Sequence, residues 1–288
     1  MRNIAVTGAA GQLGRELCRL LGDRAKPMTR EECDLTDSSS VREVIQALRP
    51  RAVINCAAYT QVDRAEDNQA VCRAVNAQAV AALADACRQA DCPLVQISTD
   101  YVFCDAPSLG RPWLETDAPA PRGVYAVTKW EGEQAATSLP RSLVVRTCGL
   151  YAGANQPDAK NFVNTMLRLG RERDELRVVN DQHCTPSYVP HVAAAVLALL
   201  DAAEAGRAPW GLYHMTNRGA TTWHAFAAEI FRLAGIDVRL QAIRSEEYAA
   251  PAPRPRYSVL DTMKFDRLGV YQLPPWKTAV RERLECAS

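Results

Sequence analysis

Tyr125 and Lys129 stand four positions apart in GVYAVTKWEGE (123–133), inside a stretch whose composition predicts a helix over 124–137. Side chains at that spacing lie about 40° apart around a helix and share one face, one turn apart. A phenol has a pKa near ~10, and it serves as acid or base at neutral pH only with a cation at hand to stabilise the phenolate. Lys129 can supply that cation. A hydroxyl that binds a substrate carbonyl would complete such a site, and STDYVF (98–103) offers Ser98 and Thr99. Alone, Tyr-x-x-x-Lys is commonest on plain surface helices, so its meaning depends on what else the chain carries.

What else it carries is VTGAAGQLG, with Gly8, Gly11 and Gly14 between a first strand and a first helix. Small residues there let the backbone approach a pyrophosphate, and the helix N-terminus offers free N–H groups and the positive end of its dipole. A nicotinamide dinucleotide fits this loop; Lys129 would then also hold the nicotinamide ribose while Tyr125 exchanges a proton. In such folds an acidic residue about 20 positions further on takes the adenosine ribose. Here a weak second strand, AKPM (25–28), is followed by Thr29, Arg30, Glu31 and Glu32. Arg30 can pair with a 2′-phosphate, which points to NADPH; Glu31 can accept from a free 2′-hydroxyl, which keeps NADH open. Asp34 and Leu35 fall where an adenine would lie, although Asp34 equally suits the neighbourhood of a helix N-cap.

These residues need a frame. Short β-branched runs alternate with alanine- and leucine-rich stretches: NIAVT (3–7) then 12–22, AVIN (52–55) then 70–91, LVQIS (94–98) then 124–137, and SLVVRT (142–147). That alternation predicts right-handed βαβ units and an α/β fold with a doubly wound parallel sheet, its continuously apolar strands covered on both faces. Past residue 150 the rhythm loosens into helical stretches at 160–172, 189–204, 222–234 and 275–285, with PAPRPRY (251–257) as a proline-rich connection. The expected division is a dinucleotide-binding Rossmann domain over 1–148 and a smaller mixed α/β substrate-binding lobe over 149–288, with some segments returning to the first domain.

Composition closes off other classes. The 288 residues carry 34 basic and 33 acidic side chains, a formal charge of +1, which gives nucleic acid no basic field. The longest apolar run, VAAAVLALL (192–200), is about half of the ~18 residues a membrane span requires, and the N-terminus lacks a signal-peptide core. A cytoplasmic protein is expected. Ten cysteines without a C-x-x-C read as reduced buried thiols, and His183, His191, His214 and His224 lack metal-ligand spacing, so no metal site is expected.

Over almost its whole length the chain resembles the dTDP-4-dehydrorhamnose reductase family of extended short-chain dehydrogenase/reductases. The resemblance rests on AVTGAAGQLG, DLTD, NCAAYTQVDRAE, AVNAQAVAALA, STDYVF, ETDAPAP, YAVTKWEGE, VVRT, LYAG, NFVNTMLRL, VVNDQ, GLYHMTNRGATTWHAFA and RPRYSVLD. It implies reduction of the 4-keto group of a dTDP-linked 6-deoxyhexulose by NADPH or NADH. Matched motif to motif, Tyr125 would protonate the ketone oxygen, Lys129 would lower the phenol pKa and hold the ribose, and Thr99 would hydrogen-bond the carbonyl. Gly8, Gly11, Gln12, Leu13, Gly14, Arg30, Asp34, Leu35, Ala57, Ala58, Tyr59 and Asn76 would serve the cofactor, Asn76 by bracing the site backbone or as a buried structural amide. Thr60, Val62, Asp100 and Tyr101 would meet the nucleotide-sugar. A homodimer is compatible with the resemblance.

One position departs from the family pattern. In RTCGLYAG the family usually has Trp where this chain has Gly149, a change that either opens the sugar pocket or leaves a neighbour to fill the space. Dehydratases of the same superfamily carry Asp-Glu after the active-site Thr, whereas Asp100 is followed here by Tyr101, which favours simple ketone reduction. A ketoreductase for another deoxysugar and a non-catalytic binding subunit are the competing readings.

Overall fold

The computed structural model describes residues 3–107 and 110–286. Its centre is a six-stranded parallel sheet: β1 (Ile4–Thr7), β2 (Ala25–Met28), β3 (Ala52–Asn55), β4 (Leu94–Thr99), β5 (Ser142–Thr147) and β6 (Gly211–His214). The strands lie in the order β6-β5-β4-β3-β1-β2, so the chain reverses direction of travel between β1 and β3. The ends of those strands form the crevice in which open α/β sheets bind ligands. Pro27, which has no N–H to give a second neighbour, sits in the edge strand β2.

Helices cover both faces. α1 (Gln12–Leu21) lays Leu13, Leu17 and Leu21, one turn apart, on Ile4, Val6 and Val145. α2 (Ser38–Leu48), α3 (Ala79–Ala90) and α4 (Val124–Thr137) cover the opposite face, where Val41, Leu83 and Ala136 meet Ala5, Val53 and Val144. The sequence reading did not anticipate α2, which starts where Asp37 accepts from the N–H groups of Ser39 (2.9 Å) and Ser40. Nor did it foresee β6, a four-residue edge strand paired with β5.

Beyond β5, α5 (Phe162–Glu172), α7 (Trp223–Ala234) and α8 (Trp276–Glu285) pack around a parallel pair, Glu175–Val179 with Arg239–Ile243, over Met166, Phe226, Ile230 and Val280. The intervening α6 (Val189–Glu204) instead joins α1 on the main sheet through Val192, Val196 and Leu199. Among the described residues no helix is long and apolar enough to cross a membrane.

Two buried polar features tie the sheet to α4. Thr7 Oγ1 donates to Asn55 Oδ1 (2.5 Å), Asn55 Nδ2 to Gln96 Oε1 (2.7 Å), and Gln96 Nε2 to the Ile97 carbonyl (2.8 Å), a seam across β1, β3 and β4. Nearby, Arg146 grips Glu133 of α4 with Nε and Nη2 at 2.9 and 2.7 Å, and Ser98 Oγ donates to the same carboxylate at 2.6 Å. Losing one partner of a pair this buried costs about 3–5 kcal/mol, because the other charge is stranded.

Candidate active site

At the β1–α1 turn the backbone leaves no room for side chains. A Cβ at Gly14 would stand 2.3 Å from the Gly8 carbonyl oxygen, and one at Gly8, whose φ is +62°, would stand 2.6 Å from the Ala57 amide. Among the described residues no side chain caps α1, and its first turn holds no acid, so its N–H groups can receive a phosphate. The turn opens into a cavity of about 1000 Å³. Gly8, Gly11, Gln12, Leu13, Gly14, Arg30, Asp34, Leu35, Ala57, Ala58, Tyr59, Thr60, Thr99, Tyr125 and Lys129 all line it.

At the end of the cavity beside β2, Arg30 faces it and Glu31 does not. Glu32, the other acid, is spent on the turn, accepting from the Thr29 N–H at 2.8 Å. Asp34 accepts from the N–H and hydroxyl of Thr36 at 2.9 and 2.7 Å, and those bonds hold its carboxyl below the usual range. It is thus a turn-former at the cavity wall, the helix cap itself being Asp37.

At the other end, Glu66 accepts from the Val124 N–H at 2.9 Å and so anchors the start of α4. Tyr125 and Lys129 then project into the cavity next to Thr99. Lys129 is 4% exposed, and its Nζ donates to the Ile97 carbonyl at 2.7 Å, the acceptor on which the polar seam also ends. Burial pulls its ammonium down to about 8, with the Glu133 carboxylate opposing. For Tyr125, burial raises the phenol above its ordinary value while a hydrogen bond with Thr99 acts against the rise. The Lys129 ammonium is bound to the strand carbonyl, and desolvation leads the causes that raise the phenol. A phenol kept neutral is a proton donor rather than a base.

Four expected residues stand apart from the cavity lining. Asn76 is buried beneath it, accepting from the Tyr59 N–H (2.8 Å) and donating to the Tyr59 carbonyl (3.2 Å), which fixes the segment after β3. A π-helical turn, Ala74–Gln78, interrupts the helix expected over 70–91 at this point. Asp100 is buried and accepts from the Ser258 hydroxyl at 2.5 Å, and burial raises its carboxyl pKa against that bond. Tyr101 meets Tyr125 edge-on at 5.5 Å. Val62 opens the short helix Val62–Ala65, whose Asp63 pairs with Arg254 at 2.9 Å.

Other participants were not singled out from sequence. Arg254, 6.0 Å from the Tyr101 ring, comes from the proline-rich connection PAPRPRY and Ser258 directly follows it; both lie in RPRYSVLD, a stretch that carried the resemblance but gave neither residue a role. Gln156 donates to the Gln12 carbonyl (3.1 Å) and Asn161 to Gln12 Oε1 (3.0 Å), drawing the 152–161 segment over the phosphate loop with Lys160 in the cavity wall. Gly149 has φ +52°, and a Cβ there would stand 2.9 Å from the ring of Trp223, itself packed on Phe162 at 4.8 Å. The space at the departing position is taken by a neighbour's indole.

A tyrosine and a buried lysine one helical turn apart, beside a glycine-lined cradle at a helix N-terminus, form the arrangement of the short-chain dehydrogenase/reductase class of oxidoreductases. The family model described as RmlD substrate binding domain matches residues 1–288. A dTDP-4-dehydrorhamnose reductase from Streptomyces griseus is 46% identical over 283 residues, covering 96% of this chain and 91% of the relative. The chain belongs to the dTDP-4-dehydrorhamnose reductase family. Its fold matches the dTDP-4-dehydrorhamnose reductase of Bacillus anthracis in complex with NADP at a TM-score of 0.90, with 34% identity and 99% of each chain covered. A relative from Streptomyces antibioticus, described as a probable dTDP-4,6-dihydroxy-2-methyloxan-3-one 4-ketoreductase, is 38% identical over 286 residues, covering 96% of this chain and 92% of the relative.

Proposed function

We propose that this protein is a dTDP-4-dehydrorhamnose reductase, which reduces the C4 ketone of dTDP-4-dehydro-6-deoxy-L-mannose to give dTDP-L-rhamnose. The observation that carries the reading is the convergence of Thr99, Tyr125 and Lys129 on one end of a cavity whose other end is the glycine cradle. When bound, NADPH supplies the hydride to C4. Tyr125 gives its phenolic proton to the ketone oxygen as negative charge gathers there, and Thr99 holds that oxygen in place. Lys129, fixed by the Ile97 carbonyl, holds the ribose and favours the phenolate left after transfer. Arg30 at the cavity edge, with Glu31 outside the lining and Asp34 turned to the Thr36 N–H and hydroxyl, favours NADPH over NADH.

Residues 1–148 would then bind the dinucleotide, and 149–288 would shape the sugar site, apart from segments such as α6 and β6 that return to the main sheet. Free thiols at all ten cysteines suit a reducing cytoplasm. The reading calls for neither nucleic acid nor membrane, and it admits a homodimer. A second reading, a 4-ketoreductase for another nucleotide-linked deoxysugar, draws on Gly149 with Trp223 over it and on the Streptomyces antibioticus relative.

Absorbance at 340 nm separates the two, with dTDP-4-keto-6-deoxyglucose, its 3,5-epimerase, and NADPH or NADH. Epimerase-dependent consumption yielding dTDP-rhamnose is expected. Consumption with a different keto-sugar nucleotide alone would select the second reading, and cofactor binding with no turnover across a panel would indicate a binding subunit.

A further inference from the structure

Thr147 closes β5, where it pairs in register with Thr99 at the end of β4. It is 5% exposed, it lines the cavity beside Thr99, Lys129 and Gly149, and among the described residues its hydroxyl has no hydrogen-bond partner. Burying a hydroxyl without a partner costs free energy that a fold normally avoids. The polar neighbours are already engaged: Ser98 with Glu133, Lys129 with the Ile97 carbonyl, Thr99 with Asp100 and the Tyr101 N–H. Of these groups, the Thr147 hydroxyl is the one with no bond within the chain among the described residues, so any partner it has comes from a bound group.

Strand alternation says which side that group must come from. Arg146 turns toward α4, where it holds Glu133, so Thr147 shares its face with Val145, which packs under α1. α1 is the helix whose N-terminus forms the phosphate cradle. A dinucleotide stretched from that cradle to Tyr125 and Lys129 brings its nicotinamide between α4 on one side and Thr147 on the other. The reacting carbon and the ribose belong with Tyr125 and Lys129. What remains is the ring's carboxamide, which has a donor and an acceptor, and a hydroxyl can meet either.

We propose that the Thr147 hydroxyl binds the nicotinamide carboxamide and thereby sets which face of the ring is turned to the sugar ketone. The contact rests on the reductase reading above. Thr147→Val keeps the β-branched shape and deletes the hydroxyl; Thr147→Ser keeps the hydroxyl. Both are titrated at equilibrium with NADPH and with 2′-phospho-ADP-ribose, which has the cradle-binding part and no nicotinamide. Thr147→Val should weaken NADPH about tenfold and leave 2′-phospho-ADP-ribose within about twofold, with Thr147→Ser close to wild type. Stereospecifically deuterated NADPH should also show leakage of hydride transfer to the second face in Thr147→Val only. Equal weakening of both ligands would make Thr147 a structural residue and overturn the contact, as would unchanged NADPH affinity. Wild-type protein that binds 2′-phospho-ADP-ribose but gains nothing from the nicotinamide would also overturn it while leaving the cradle intact. Failure of the wild type to bind either ligand would overturn the reductase reading and this contact together.

Discussion

The two ends of the cavity are built in opposite ways. The phosphate end is local: Gly8, Gly11, Gln12 and Gly14 lie within one turn, and sterics at two glycines shape it. The reacting end is assembled from afar. Thr99 closes β4, Tyr125 and Lys129 come from a helix anchored by Glu66, and Asp100 is held by Ser258, a hydrogen bond across 158 positions of sequence. A local loop tolerates change elsewhere and fails when its own backbone is altered. An assembled end depends on every element that meets there.

The largest test of that contrast is Tyr125→Phe, which removes one proton donor and leaves the cradle whole. Its kcat should fall by about 10² to 10⁴ with NADPH affinity nearly unchanged; near-normal turnover in a steady-state assay would remove Tyr125 from the chemistry. Gly14→Val should act at the other end. Forcing a side chain against the Gly8 carbonyl costs about 1–3 kcal/mol; taken out of cofactor binding, that is roughly a 5- to 150-fold loss of affinity, to be measured by fluorescence titration. Arg30→Ala should be smaller and selective, about tenfold weaker for NADPH and unchanged for NADH; equal losses for both would mean that Arg30 does not meet a 2′-phosphate.

The mildest test is pH. Lys129 is a cation below its value of about 8 and neutral above it. If the reaction needs the cation, kcat should be half its plateau near that pH and fall as pH rises further. A profile flat to pH about 10, the ordinary lysine range, would mean that the charge of Lys129 is not needed.

Legibility in the sequence follows the same division. VTGAAGQLG and Y-x-x-x-K lie within single elements, so spacing alone placed Gly14 at a strand–helix turn and Tyr125 above Lys129. AVIN and SLVVRT were readable as strands because both their faces are buried. β6 was not, since GLYH has no pattern of its own and becomes a strand only through β5. The π-helical turn at Asn76 was hidden for a similar reason: its cause lies outside the helix, in the bonds Asn76 makes to Tyr59 and in Gly132 of α4, where an added Cβ would reach within 2.1 Å of the Asn76 carbonyl oxygen. Arg254 and Ser258 stand within and just after a proline stretch, in the RPRYSVLD segment that marked the resemblance without assigning them a role, and nothing local ties either to Tyr101 or Asp100. The indole of Trp223 beside Gly149 depends on how α7 meets the end of β5, which is a matter of packing.

The seam from Thr7 through Asn55 and Gln96 to the carbonyl that holds Lys129 makes the enzyme its own inspector. Its three side chains can reach one another only if β1, β3 and β4 lie in the correct order and register, because a slip of one residue turns every side chain of a strand to the opposite face. A misassembled sheet would therefore strand polar groups in its interior and also leave the lysine without its seat. Such a chain would be both unstable and inactive, so it could not persist as a folded protein that binds dinucleotide unproductively.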